Sequence, residues 1–121
     1  MKRQIHLTRK SIVLIFLLSI SACSVKLAAP AQSDVDRVAV KYPDYNLAQL
    51  NEGKALFQQT CNRCHALKNP KSRDETKWNE IVPTMINKLN KKQGREEIDN
   101  AQEEKILRYL VTMSSSSTPA K

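Results

Sequence analysis

Apolar residues recur every three or four positions in three segments of this chain, which is the period of a helix that buries one face. The first predicted helix begins after Asn46, whose side chain can form a capping box with Gln49, and ends near Thr60. Gly53 lies inside it, where glycine costs about 1 kcal/mol relative to alanine. We therefore expect another helix to approach closely at Gly53. The apolar face carries Leu47, Leu50 and Phe57, together with Lys54.

The second segment is predicted to begin after a capping Asp74 and to end at Gly94, with Lys91 and Lys92 favourably placed in its last turn. Pro83 lies within it and has no N–H to donate to the Asn79 carbonyl. Either the helix is kinked there, or a short turn precedes a helix that begins at Pro83. The apolar face comprises Trp78, Ile81, Val82, Met85, Ile86 and Leu89.

The third segment begins at Asp99, with Gln102 in the capping-box position, and gives way to a serine-rich tail at 114–121 that we expect to be disordered. Its apolar stripe comprises Ile106, Tyr109, Leu110 and Met113. No part of the sequence alternates with the period of two that marks a strand. The sequence therefore predicts an all-α fold with about three main helices.

A different hydrophobic pattern opens the chain. A basic stretch precedes the apolar run Ile12–Ile20, which is too short to span a bilayer and is typical of an export signal over residues 1–22. Small residues then lead to Cys23, as in a bacterial lipobox, so Cys23 is the predicted lipidation site; an ordinary signal peptide with a chance cysteine is the alternative. The expected location is the bacterial periplasm on a lipid anchor, and Ser24 favours the outer membrane.

Between Cys23 and the first helix, residues 23–43 are predicted to form a flexible tether, because they are small and polar and lack a clear period. As a random coil this segment would reach about 20–30 Å. The run from Tyr42 to Tyr45 reads as a turn into a domain that spans residues 44–113. The two tyrosines are expected to pack against the first helix.

The net charge of +8 in the 121-residue chain belongs partly to the signal. Without Lys2, Arg3, Arg9 and Lys10, 16 basic and 12 acidic residues remain, which gives +4 over residues 23–121. An exported chain without a long basic run is a poor candidate for nucleic-acid binding. The modest positive surface is either a docking face for acidic partners or a solvated surface without a partner.

The chemistry-bearing motif is Cys61-Asn62-Arg63-Cys64-His65, which reads C-x-x-C-H, the attachment signature of c-type haem. A thioredoxin-like pair would need alternating strands and helices, and zinc would need a fourth ligand. A plain disulfide is a further alternative. Covalent haem is favoured, because the histidine is adjacent and so small a domain needs a cofactor to complete its core. His65 is then the axial iron ligand, with its other nitrogen held by a backbone carbonyl near Pro70.

Residues around the motif also form a familiar pattern: Gly53 and Phe57 before it, Trp78 and Met85 after it, and Ile106 and Tyr109 near the end. With this pattern the chain resembles a small monohaem class I c-type cytochrome over residues 45–113. The resemblance implies a cytochrome c-like fold of about three main helices around one covalent haem. It also implies that Gly53 and Phe57 pack against Ile106 and Tyr109.

The sixth iron ligand departs from the family's commonest plan, because the loop 91–99 contains neither methionine nor histidine. Met85 is the predicted sixth ligand, since a kink at Pro83 would turn its face toward the iron; Met113 is interpreted as a core residue. Without Met85 the iron would be five-coordinate or bind lysine, asparagine or water. Trp78 is predicted to be a wall of the haem pocket, with its indole N–H on a propionate.

Basic residues on both sides of the motif are predicted to lie near the haem edge. They either pair with propionates, dock a partner or form a solvated face: Arg63, Lys68, Lys71, Arg73 and Lys77. The expected function is one-electron transfer without substrate chemistry. The alternatives are a haem protein that binds or senses a small ligand at an open iron, and a haem subunit of a larger dehydrogenase.

Overall fold

Three long helices and one short helix make up most of the computed structural model, which describes residues 25–114. In chain order these are α1 (Gln32–Arg37), α2 (Leu47–Cys61), α3 (Glu75–Gln93) and α4 (Asn100–Ser114), with a 3₁₀ turn at Pro70–Ser72 between α2 and α3. No strand occurs in this part of the chain. The prediction of an all-α fold with about three main helices is confirmed. The export signal, Cys23 and the tail beyond Ser114 lie outside the described residues.

Helix boundaries follow local capping chemistry. Asn46 and Gln49 exchange side-chain-to-backbone hydrogen bonds of 2.9 and 3.0 Å at the start of α2. Asp99 and Gln102 do the same at 2.8 and 3.1 Å before α4. Asp74 accepts the Lys77 N–H at 2.8 Å before α3. The predicted caps are therefore confirmed.

Helix α3 runs without interruption through Pro83, so the alternative of a helix that begins at this proline is wrong. Gly94, which caps the C-terminus of α3 directly after Gln93, has a φ of 66°, in the left-handed region that glycine enters without steric cost. The side chain of Asn90 then organises the connection to α4. It accepts the N–H of Glu97 at 2.9 Å and donates to the carbonyl of Ile98 at 2.9 Å, which ties the loop back onto α3.

Helix α4 is the central element, because α2 and α3 both pack against it but make no close backbone contact with each other. The apolar stripe of α4 is buried as predicted, including Ile106 and Tyr109. At the crossing with α2, a Cβ on Gly53 would overlap the Lys105 carbonyl oxygen and lie 2.8 Å from the Tyr109 Cβ. The close approach expected at Gly53 is therefore present, and a gap is left between α2 and α3.

The sequence predicts a flexible tether over residues 23–43, but part of this segment is a helix packed on the core. Residues 32–37 form α1, and Val35 and Val38 are buried in the core. The Arg37 guanidinium donates to the Thr112 carbonyl at 3.0 Å, near the end of α4. These contacts join residues far apart in sequence, which is why no local period reveals them. The packed domain thus begins well before residue 44.

Gly53→Ala is expected to destabilise the domain by roughly 1–3 kcal/mol, because the added methyl meets backbone atoms of α4 that have little room to move. Chemical denaturation followed by circular dichroism measures the effect. Gln58→Ala, at an exposed position of the same helix, is the matched control and should stay within about 0.5 kcal/mol of the parent. Equal stabilities for both variants would contradict the close helix crossing.

Candidate functional site

The two thiols of the C-x-x-C-H motif lie at the C-terminal end of α2. Cys61 is the last residue of the helix and is half-buried, while Cys64 is exposed in the turn that follows. Both are free thiols. Burial, and to a lesser extent the neighbouring Cys64, raises the pKa of Cys61 to about 11. The nucleophile of a thiol–disulfide redox pair has a lowered pKa, so Cys61 suits that role poorly.

The imidazole of His65 lies directly after Cys64. Its Nδ1 is 2.8 Å from the carbonyl oxygen of Ala66. With the proton on Nδ1, this atom donates to that carbonyl, which leaves the lone pair on Nε2 available to a metal. The expectation of a carbonyl partner holds, but the acceptor is Ala66 and not a residue near Pro70.

A cavity of about 370 Å³ occupies the gap between α2 and α3. This volume lies within the range of roughly 300–1,000 Å³ typical of cofactor sites. Helix α2 and its following turn form one wall, α3 forms another, and α4 contributes Leu110. The lining consists of Phe57, Thr60, Cys61, Cys64, His65, Lys68, Arg73, Trp78, Ile81, Val82, Met85, Ile86, Lys88, Leu89, Lys92 and Leu110.

The cavity brings together every predicted haem-site residue, with Trp78 and Met85 contributed by α3 and the two thiols and the imidazole by α2 and its turn. Met85 is 40% exposed, although Val82 and Ile86 on the same apolar face of α3 are buried. Met113, by contrast, is 7% exposed in the core and does not line the cavity. Met85 is therefore the thioether that the fold leaves facing this space.

Trp78 differs from its prediction in one respect. The side chain is buried and lines the cavity, but its indole N–H donates to the Pro70 carbonyl at 2.9 Å. It is therefore occupied within the protein and is not directed at a propionate. The hydrogen bond joins α3 to the loop that follows His65.

Four cationic side chains line the cavity, and no acidic side chain does: Lys68, Arg73, Lys88 and Lys92. None of the four forms an ion pair within residues 25–114. Of the five basic residues predicted to lie near the haem edge, only Lys68 and Arg73 line the cavity; the others do not: Arg63, Lys71 and Lys77. Arg63 pairs with Glu97, and Lys77 pairs with Glu80 at 2.7 Å. Lys88 and Lys92 were missed, although they lie three and seven residues after Met85, which is helical spacing for one face.

No protein-family model, curated protein or solved structure matches this chain. The assignment of a function therefore depends on the residues around the cavity. Within residues 25–114, no helix is both long enough and apolar enough to cross a membrane.

Proposed function

We propose that this protein is a one-electron carrier that holds one c-type haem in the cavity between α2 and α3. The observation that carries the proposal is the meeting of Cys61, Cys64, His65 and Met85 at one apolar cavity. Helices α2 and α3 do not pack on each other there, so a flat apolar cofactor would complete the core. This donor set fits haem c: two thiols for covalent attachment, an imidazole and a thioether for iron.

The bound haem would supply a metal centre that gains and loses one electron. Cys61 and Cys64 would fix its position through thioether bonds. His65 would bind the iron through Nε2 while Nδ1 stays on the Ala66 carbonyl, which holds the ring in one orientation. We propose Met85 as the sixth ligand, because it is the methionine on the cavity wall.

The charge distribution supports a ligand with an apolar body and anionic groups. The walls are mainly aliphatic and aromatic. The four cations at the cavity have no acidic partner in the described chain: Lys68 and Arg73 beside the motif, and Lys88 and Lys92 on α3. The two propionates of a haem would pair with members of this set. The cations left over would favour redox partners with an acidic docking face.

The packing of α2 on α4 supports membership of the class I c-type cytochromes. Phe57 and Tyr109 have ring centroids 5.7 Å apart, and Ile106 is fully buried beside the crossing at Gly53. These are the four positions that the sequence resemblance implied. The departure is the loop between α3 and α4, which lacks methionine and is tied down by Asn90.

The cofactor is tested by expressing the chain in a bacterial periplasm that contains the haem-attachment machinery. The denatured protein should retain one haem per chain, measured as the pyridine haemochrome after gel filtration in denaturant. Haem that separates from the denatured chain would exclude thioether attachment. A colourless chain would exclude the proposed function as a whole.

A second candidate is a haem protein that binds a small ligand at an open iron, and the 40% exposure of Met85 favours it, because solvent reaches that side of the cavity. Carbon monoxide distinguishes the two functions. A reduced protein with a firm sixth ligand should show no prompt spectral shift, whereas an open iron should bind the gas at once. A haem subunit of a larger dehydrogenase would have the same chemistry as the electron carrier, with an obligatory partner.

We further propose that Cys23 carries a lipid that anchors the protein to a bacterial membrane on the periplasmic side, with the outer membrane favoured by Ser24. Cys23→Ser should move the haem stain from the membrane fraction to the soluble periplasmic fraction. Ser21→Ala, which changes a neighbouring small residue but keeps the cysteine, is the control and should stay in the membrane fraction. Unchanged fractionation of Cys23→Ser would exclude the lipid anchor.

A further inference from the structure

The indole of Trp78 makes two kinds of contact at the cavity. Its ring belongs to the cavity wall, and its N–H donates to the Pro70 carbonyl at 2.9 Å. Trp78 is 4% exposed and Pro70 is buried as well, so water is a poor substitute for either partner. The same carbonyl accepts the Arg73 N–H at 3.4 Å, so loss of the indole donor would remove the shorter of its two hydrogen bonds and the one that reaches α3.

Pro70 begins the short 3₁₀ turn that Trp78 holds. Within this turn the Asn69 side chain accepts the Lys71 N–H at 3.0 Å, and the Asn69 carbonyl accepts the Ser72 N–H at 2.9 Å. The turn also packs against α4. The indole hydrogen bond therefore attaches a small, internally bonded unit to α3.

Residues with proposed roles lie on both sides of this turn. His65 and Lys68 precede it, and Arg73 follows it; all three line the cavity. Apart from the indole hydrogen bond, no side-chain hydrogen bond or ion pair joins residues 65–73 to α3 within the described chain. The position of the turn relative to α3 thus helps to set where the imidazole and two of the four cations lie at the cavity.

We propose that Trp78 is a positioning residue for the haem site: its indole N–H fixes the loop 66–73 against α3 and so holds His65, Lys68 and Arg73 at the cavity. The inference rests on the proposed function for the role of the haem, but the restraint on the loop belongs to the protein alone. This role is separate from that of a pocket wall: the ring of Trp78 lines the cavity, whereas its N–H holds the loop in place.

Trp78→Phe removes the N–H and keeps an aromatic side chain. In the haem-loaded protein, hydrogen exchange of the amides of Lys71, Ser72 and Arg73 should become about tenfold faster, because the turn opens locally. Amides in the middle of α4 should keep their rates. The reduction potential should fall, because Lys68 and Arg73 spend less time near the haem and disfavour the ferric state less.

Leu50→Ala is the matched control, because Leu50 is a fully buried residue of α2 that does not line the cavity. It should lower the midpoint of chemical denaturation while leaving the reduction potential, and the exchange of the 66–73 loop relative to the rest of the chain, unchanged. The indole resonance gives a direct check, since the chain has one tryptophan. In the reduced parent protein this N–H should exchange slowly.

Two failures are distinguishable. A parent chain that carries no haem would overturn the proposed function, whereas a haem-loaded Trp78→Phe protein with parental loop exchange and parental potential would overturn the positioning role. The positioning role would also be overturned if loop exchange and reduction potential changed equally in Trp78→Phe and Leu50→Ala, because both changes would then reflect lower stability alone.

Discussion

Replacing Cys61 and Cys64 together with alanine is expected to abolish haem attachment and leave the chain largely unfolded. Both proposed thioether bonds would be lost, and the cavity between α2 and α3 would then have no covalently held occupant. At about 24 cal/mol per Å³, an empty cavity of about 370 Å³ would cost at most about 9 kcal/mol; this is an upper bound because water can enter the mouth. A domain of this size has only about 5–15 kcal/mol of stability.

The measurement combines haem staining of a denaturing gel with far-ultraviolet circular dichroism of the purified chain. Asn62→Ala is the matched control, because this exposed residue lies between the two cysteines and has no role in attachment. It should retain the haem and the helical signal. A double-alanine variant that unfolds cooperatively without haem would refute the idea that the cofactor completes the core.

Met85→Ala is expected to remove the weak absorption band at the red end of the spectrum that an iron–thioether bond gives. It should also allow carbon monoxide to bind promptly to the reduced protein, because the sixth position becomes open. The stability loss should be small, since Met85 is 40% exposed. Absorption spectra of the oxidised protein, and of the reduced protein with carbon monoxide, test both expectations.

Met113→Ala is the comparison variant, because it removes a methionine that does not line the cavity. Met113 is buried in the core, so its removal should cost about 2–5 kcal/mol and leave the red band intact. The two variants are thus expected to show opposite patterns of spectral and stability change. A band that survives in Met85→Ala and disappears in Met113→Ala would transfer the ligand to Met113.

Local features of the sequence were enough to predict the three main helices. Asn46, Asp74 and Asp99 each cap a helix by accepting a backbone N–H three residues away, so their role can be predicted without knowledge of the fold. Gly53 was informative for a different reason: a glycine that weakens its own helix indicates a close neighbour. The motif Cys61 to His65 is likewise continuous in sequence, and the fold places all of its reactive groups at one cavity.

Contacts between distant residues could not be predicted in this way. Arg37 reaches the Thr112 carbonyl across 75 positions of sequence. The Trp78 indole N–H donates to the Pro70 carbonyl, and the position of this carbonyl depends on how the intervening loop folds. Asn90 likewise bonds to backbone groups of a loop without a strong turn signature. In each case a polar group has several possible partners, and tertiary packing selects among them.

The packing of residues 27–38 on the core would limit how far the domain could travel from a membrane if the proposed lipid anchor is present. Leu27 already packs against the core, and Lys54 donates to the Ala28 carbonyl at 3.0 Å. If Cys23 is lipidated as proposed, only Ser24, Val25 and Lys26 separate the anchor from the packed domain. Fully extended, that span is at most about 14 Å. The haem would then explore a thin layer above the lipid headgroups, and electrons would pass only to partners that present their own redox centres within that layer.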